Sequence, residues 1–337
     1  MPSFIPELVL VRKTALEYPL GSELKERFEA RGIKLILYED RIPALHRQTF
    51  REGYLAAKRV MVLSVWRQGE FQTCKPSAHY QLPLVSGCPG LCEYCYLNTN
   101  LGRRPYVKVN VNVKDVLGRA EEYVRRRKPE ATIFEGAATS DPVAVEHWTG
   151  SLRNAVEFFA ALDGAKFRFV TKFTDVDGLT AIEHGGKTEI RFSINCTSII
   201  DEYETGVPRL KSRLTAARKC AGAGYPVGFL IAPIFAFEGW REKYGQMLRL
   251  VREYLPEKTP VFFELITHRF TTRSKKIIRQ AYPDSSVPME ETERSFKYGQ
   301  FGCGKYVYPG VVLKELKEFF LNEIERLFPG AKILYFV

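Results

Sequence analysis

The chain has no run of about eighteen uncharged apolar residues, the length a membrane-spanning helix needs. Its start, Met1-Pro2-Ser3-Phe4-Ile5-Pro6-Glu7, lacks the basic flank and apolar stretch of a secretory signal, so a soluble, cytoplasmic protein is expected. Low-complexity segments and short repeats are also missing, which excludes collagen-like and disordered classes. Cysteine is sparse and odd in number, at seven, which argues against a disulfide framework and for thiols used as ligands or reagents. Acidic residues are in deficit: 39 Asp and Glu against 50 Lys and Arg leave a net charge of +11. That surface attracts polyanions, nucleic acid first. The 337 residues, 45% of them hydrophobic, suffice to bury one large core or two ordinary ones.

The first 75 residues read as a small α/β extension, with helices over 22–30 and 49–58 and strands over 34–38 and 59–66. Apolar runs then follow at 80–85, 131–134, 167–171, 189–194, 227–232 and 261–266. Between them lie helical spacings at 113–127, 144–162, 208–223 and 240–255, and a poorer one at 179–184. Strands alternating with helices of this length predict parallel pairing, hence an α/β barrel or an open parallel sheet with ligands at the carboxyl ends of its strands. Beyond residue 270 the pattern changes to a basic helix over 271–281 and a hairpin over 296–308, where aromatics alternate around glycines. A helix over 311–327 and a strand over 333–337 complete the chain.

The strongest local signal is Ser86-Gly-Cys88-Pro-Gly-Leu-Cys92-Glu-Tyr94-Cys95-Tyr96, a C-x3-C-x2-C triplet directly after the first of these runs. Three thiolates on one short loop can ligate three irons of a [4Fe-4S] cube and leave the fourth iron open to a small molecule. Glycine lets the backbone wrap the cube and turn amides toward its sulfurs. A structural zinc would want a fourth N or S ligand, and the nearest histidine, His79, precedes the strand.

The triplet, with an aromatic before its third cysteine, resembles the signature of the radical S-adenosylmethionine (radical SAM) enzymes. Further stretches resemble one branch of them, the spore photoproduct lyase family: Lys75-Pro-Ser-Ala78, Phe134-Glu-Gly136, Thr139-Ser-Asp141, Arg168-Phe-Val-Thr-Lys172-Phe173, Arg191-Phe-Ser-Ile-Asn195, Gly228 to Ile234, Phe263-Glu-Leu-Ile266, His268-Arg-Phe270 and Gly304-Lys-Tyr306. The resemblance implies a partial (βα)6, TIM-like barrel of the radical SAM type over 76–270, between the α/β extension of 1–75 and a carboxyl-terminal region of 271–337 with a DNA-facing hairpin. It implies a lyase that returns a methylene-bridged thymine pair in DNA to two thymines, using a [4Fe-4S] cluster on Cys88, Cys92 and Cys95 and S-adenosylmethionine. Tyr94, Ser140, Lys172, Ser193 and Ala232 match the family's cofactor shell. The partners implied are double-stranded DNA carrying the lesion and an electron donor such as a flavodoxin or ferredoxin.

Tyr96 is similar to the family tyrosine of hydrogen-atom return, and is expected as a buried phenol. The chain departs from the family at Ala138, which stands where the family has the cysteine that quenches the product radical. A methyl group cannot take that part. Hydrogen return is therefore expected to be impaired or rerouted, with Cys74, Cys196, Cys220 and Cys303 as the remaining thiols. Reaching two stacked bases requires the pair to leave the duplex and something to fill the gap. In the hairpin, Phe296, Tyr298, Gln300, Phe301, Tyr306 and Tyr308 are candidates to stack or wedge, and Lys297 and Lys305 to meet phosphates. Arg273, Lys275, Lys276 and Arg279 on the basic helix, Arg103-Arg104 and the run 125–128 are further phosphate candidates. Two other readings stand beside this one: a radical SAM enzyme acting on another modified nucleotide or a peptide, and a non-catalytic DNA-binding protein whose cluster is structural or redox-sensing.

Overall fold

The computed structural model describes residues 3–44, 47–67, 69–97, 101–102, 104–256, 259–298 and 304–337. The chain opens with strands β1 (Leu8–Arg12), β2 (Lys34–Tyr38) and β3 (Val60–Ser64), joined by helices Pro19–Ala30 and Phe50–Ala57. The second helix starts on a capping box, in which the Thr49 side chain takes the Glu52 amide and Glu52 reaches back to Thr49. Then come β4 (Thr73–Cys74), β5 (Ala78–Gln81), β6 (Val85–Ser86), β7 (Leu91–Cys92) and β8 (Val107–Asn110). The expected strand over 80–85 is two strands in two sheets. Pro83 lies between them, where it can donate no ladder hydrogen bond; its carbonyl instead accepts from the Asn110 side chain at 2.7 Å.

The amino-terminal sheet runs β2-β1-β3-β8-β6. It recruits β6 and β8 from either side of the cysteine triplet, so the cluster loop leaves and re-enters this sheet.

The larger sheet is the curled half-barrel. Its strands β9 (Thr132–Glu135), β10 (Ala165–Thr171), β11 (Thr188–Ile194), β13 (Val227–Ile234) and β14 (Val261–Thr267) follow the repeat read from the sequence, with the two-residue β12 (Glu204–Thr205) set apart. The hairpin strands β15 (Ser295–Tyr298) and β16 (Gly304–Val307) come next, and β17 (Lys332–Phe336) returns to the large sheet. The order β17-β14-β13-β11-β10-β9-β5-β4 is parallel except for the β4–β5 edge.

Helices cover the convex face. Helix Val113–Arg127 buries Val113, Val116, Leu117, Ala120, Tyr123 and Val124, the spacing of a single helix face. The region expected as one helix over 144–162 is broken: a 3-10 turn, Pro142–Val145, leads to the short helix Glu146–Thr149, and Gly150 separates that from Ser151–Ala161. Residues 179–184 form turns, not a helix. Side chains that meet the helices alternate with side chains facing the concave side. Phe167 stacks on Phe159 at 5.2 Å, and Phe263 meets Phe328 at 5.1 Å. Their neighbours Arg168 and Glu264 therefore point to the concave face, with Arg191 and Glu135.

Candidate active site

The triplet enters from β6 through Gly87, whose φ of +82° suits glycine, and where a Cβ would lie 2.1 Å from the Tyr106 carbonyl oxygen. The three thiols are within electrostatic reach of one another, Cys88 feeling both Cys92 and Cys95, and burial is the main cause pushing the Cys88 and Cys92 thiols up. The Gly90 amide donates to Cys88 Sγ at 3.3 Å. A Cβ on Gly90 would stand 3.3 Å from that sulfur and 2.7 Å from Val207, so the loop leaves room beside the thiols that any other residue would fill. Among the described residues no three Cys, His, Asp or Glu side chains gather tightly enough for a single metal ion. His79 is turned away to the Ile133 amide, at 2.9 Å. Three spread thiols, an amide on a sulfur and a cradle beside them suit a cluster better than a zinc ion.

Tyr94, between the second and third thiols, gives its hydroxyl hydrogen to Glu204, while Lys172 donates to the same hydroxyl at 2.8 Å and to Glu204 at 2.6 Å. Glu204 is also paired with the fully buried Arg213. Burial pushes the Glu204 carboxyl up, but Lys172 and Arg213 outweigh it and hold the group down at about 2. The backbone of Glu204 is laddered to Cys92, so this buried ion cluster ties the triplet to the carboxyl end of β10. Neither Glu204 nor Arg213 carries a local motif; in the sequence Arg213 reads as a surface arginine of an amphipathic helix.

Ser140 is buried and bridges Gly87 backbone to backbone, Ser193 is buried near the end of β11, and Ala232 lies near the end of β13. Together with Lys172 they form an arc along the strand ends. Lys172 is an ion-paired side chain with 16% of its surface exposed.

Tyr96 corrects the expectation of a buried phenol: it is 57% exposed, with its hydroxyl donating to the Ala138 carbonyl. The surrounding protein, then Cys95, Glu135 and Cys74, raise its pKa. Cys74 is half-buried at the end of β4, and burial pushes its thiol up to about 11. The turn that follows is fixed by Ser77, which donates to Glu135 at 2.9 Å, receives Arg191 at 3.2 Å, and offers its carbonyl to Arg168 at 2.6 Å. Behind it, Glu264 accepts from Arg168 at 2.6 Å and Arg191 at 2.9 Å, and Arg191 also pairs with Glu135. Cys196 and Cys220 are core residues at 1% and 0% exposure; Cys303 lies outside the described residues.

The hairpin presents Phe296 and Tyr298, 50% and 78% exposed and edge to face at 5.3 Å. Tyr306 stacks on Phe270 at 5.2 Å. Tyr308 is not available to DNA: it is buried, its hydroxyl takes the Ala236 amide, and Arg294 covers its ring at 3.7 Å. Lys297 and Lys305 are cross-strand neighbours. They line a cavity of about 380 Å³ with Arg269, Lys314 and Lys317. Burial, Arg269 and Lys297 all lower the Lys305 pKa. On the basic helix, by contrast, Lys275 and Arg279 are engaged by Glu291 and Glu290, while Arg273 is exposed. Arg103, Gln300 and Phe301 lie outside the described residues.

A parallel half-barrel whose first parallel strand, β5, leads through β6 of the neighbouring sheet into a cysteine triplet, with a polar arc along its strand ends, defines a radical SAM enzyme. Comparison with known proteins narrows this. The chain belongs to the spore photoproduct lyase family, whose model matches residues 4–337. Spore photoproduct lyase of Clostridium acetobutylicum is 44% identical over 330 residues, covering 98% of each chain, and that of Bacillus subtilis is 41% identical over 337 residues, covering 99% of this chain and 98% of its own. A solved spore photoproduct lyase with one cysteine changed to alanine and one serine to cysteine, with bound AdoMet and dinucleoside spore photoproduct, superposes with a TM-score of 0.96 at 44% identity over 100% of both chains. Another, complexed with the dinucleoside spore photoproduct, gives 0.96 at 43% identity, again over 100% of both chains. The family is one of radical SAM lyases that use S-adenosylmethionine and a [4Fe-4S] cluster. Among the described residues no helix is long and apolar enough to cross a membrane.

Proposed function

We propose that this chain reverses the spore photoproduct in double-stranded DNA to two thymines, with Cys88, Cys92 and Cys95 as cluster ligands, Tyr94, Ser140, Lys172, Ser193 and Ala232 around S-adenosylmethionine, and Cys74 as the hydrogen donor to the product. When bound, the cluster and S-adenosylmethionine supply a 5′-deoxyadenosyl radical able to take hydrogen from an unactivated carbon, which side-chain acids and bases cannot do. Lys172 and Glu204 hold the Tyr94 ring still beside the triplet. A flavodoxin or ferredoxin in the cytoplasm suits the reductant's part.

The observation that carries the hydrogen-return step is the grouping of Tyr96, the Ala138 carbonyl and Cys74. Ala138 has no hydrogen to give at a useful rate. The pKa of about 11 keeps Cys74 as S–H at neutral pH, the form from which a hydrogen atom can leave. Tyr96, within electrostatic reach of that thiol, relays hydrogen between Cys74 and the nucleoside end of the site. The solved relative with the two exchanged residues supports this reading: its two positions are separated by the same interval as Cys74 and Ala138.

For the DNA, the exposed rings of Phe296 and Tyr298 suit the gap left by an extruded pair, and Arg269, Lys297 and Lys305 suit the flanking phosphates.

The test is oxygen-free repair of a synthetic lesion-bearing oligonucleotide. The unaltered chain restores thymines. Cys74→Ser still yields 5′-deoxyadenosine but restores thymine at least about tenfold less and accumulates trapped adducts, because an O–H bond is a poorer hydrogen donor; Ala138→Cys placed in that variant restores repair. Full repair by Cys74→Ser would end the assignment.

A further inference from the structure

Lys58, which caps the carboxyl end of helix Phe50–Ala57, is only 1% exposed. Its ammonium donates to the carbonyl oxygens of Cys88 and Gly90, both at 3.0 Å. It lies 5.9 Å from the centre of the Tyr54 ring, itself fully buried and within reach of all three triplet thiols. Among the described residues Lys58 forms no ion pair. The carboxylate that acts most on Cys88, Asp141, spends its oxygens on the Thr171 hydroxyl and the Lys172 amide, both at 2.7 Å.

An ammonium removed from water with only two carbonyls for company is an expensive arrangement; buried charges are ordinarily paired. Peptide oxygens solvate it without neutralising it. What can neutralise it here is the negative charge that three thiolates and a cluster bring to the same loop.

Resting on the reading that the triplet holds the cluster, we propose that Lys58 is the cluster's built-in counter-ion: from the amino-terminal α/β unit it grips the loop by its carbonyls and raises the potential at which the cluster accepts an electron. This gives the extension a part in the chemistry. A fixed positive charge beside a redox centre favours its reduced form, so removing the charge makes reduction harder.

The experiment reconstitutes the full chain and its Lys58→Gln, Lys58→Met and Lys58→Arg variants without oxygen, then measures iron and sulfide per chain and the midpoint potential by EPR-monitored titration. The expected result is a reduction equilibrium at least tenfold less favourable in the Gln and Met variants, or about 59 mV more negative for a one-electron couple, and within twofold of the unaltered chain in Lys58→Arg. If the neutral variants hold no iron while Lys58→Arg does, the counter-ion is likewise supported. Potentials that do not move in the neutral variants, or an arginine variant that behaves like glutamine, overturn it. Should Lys58→Met not fold, Lys58→Gln, which keeps a donor, decides. Failure of the unaltered chain to take up iron would instead refute the cluster ligands, so the two failures are distinguishable.

Discussion

Glu264 is a residue whose loss should be costly. It is 0% exposed and accepts from Arg168 at 2.6 Å and Arg191 at 2.9 Å. Burial pushes its carboxyl up, yet the two arginines overcome that and hold it below its ordinary value of 4.5. Alanine here leaves two buried guanidiniums short of an anion, Arg191 with Glu135 alone and Arg168 with the partly exposed Glu189. Breaking a buried pair from one side costs about 3–5 kcal/mol, a large share of the roughly 5–15 kcal/mol that holds a protein folded. At about 2.1 cal/mol/K per residue the 337-residue chain loses roughly 0.7 kcal/mol per degree at its midpoint, so Glu264→Ala should melt about 4–7 °C below the parent by circular dichroism at pH 7. Glu264→Gln, which keeps the shape and one acceptor, should fall between. Because the folded pKa lies below the unfolded one, the advantage of glutamate over glutamine is complete above pH 4.5 and shrinks as the pH falls below it. The same network holds Ser77, and through it the Cys74 turn, so trapped adducts should rise with the loss of stability. A loss under about 1 kcal/mol for Glu264→Ala would refute the reasoning, since it would mean that water reaches the arginines.

Three further outcomes follow from the same geometry. His268 is buried against Phe235 at 4.6 Å, and burial, then Arg294, push its pKa down to about 3. The unfolded chain takes that proton below 6.5, so stability is complete above pH 6.5 and falls by up to about 1.4 kcal/mol per pH unit on the way to 3; urea unfolding of His268→Phe should lack this component, and an unchanged slope would count against it. Gly87→Ala puts a Cβ 2.1 Å from the Tyr106 carbonyl oxygen at a φ of +82°, so reconstitution should give clearly less iron per chain, and normal loading would show that the turn adapts. Replacing both Lys297 and Lys305 by alanine should flatten the plot of log affinity for DNA against log salt by about 1.8, and a slope equal to the parent's would remove the hairpin lysines from the interface.

What the sequence made legible was what is local or periodic. The triplet is local, and its spacing and its place after a strand are enough to read it. The alternation that became β9, β10, β11, β13 and β14 is periodic, and its parallel order follows from connection lengths. Failures fell where one residue breaks a period, at Pro83 between two sheets and at Gly150 between two helices. The rest was illegible because it depends on contacts across the fold. Lys172, Glu204 and Arg213 come from separate elements, and Lys58 reads as an ordinary cation at a helix end, the charge that position favours. Only burial with carbonyl partners on the cluster loop sets it apart.

Ala138 shows the limit most clearly. In one dimension an alanine inside a catalytic motif reads as a loss, and no ranking of four remaining cysteines follows from their order in the chain. In three dimensions β5 pairs with β9, whose end leads to Ala138, and β4, which ends in Cys74, pairs with the other edge of β5. The two positions therefore belong to neighbouring segments of one sheet edge, with Tyr96 bonded to the first and coupled to the second. On the proposed reading the donor has changed sides of the same small space while the relay has stayed where it was. Such an exchange preserves the reaction only if Tyr96 serves either thiol. Tyr96→Phe should thus impair thymine restoration both in the unaltered Cys74 and Ala138 background and in a Cys74→Ala, Ala138→Cys background, and sensitivity in only one of them would show that the two thiols use different relays.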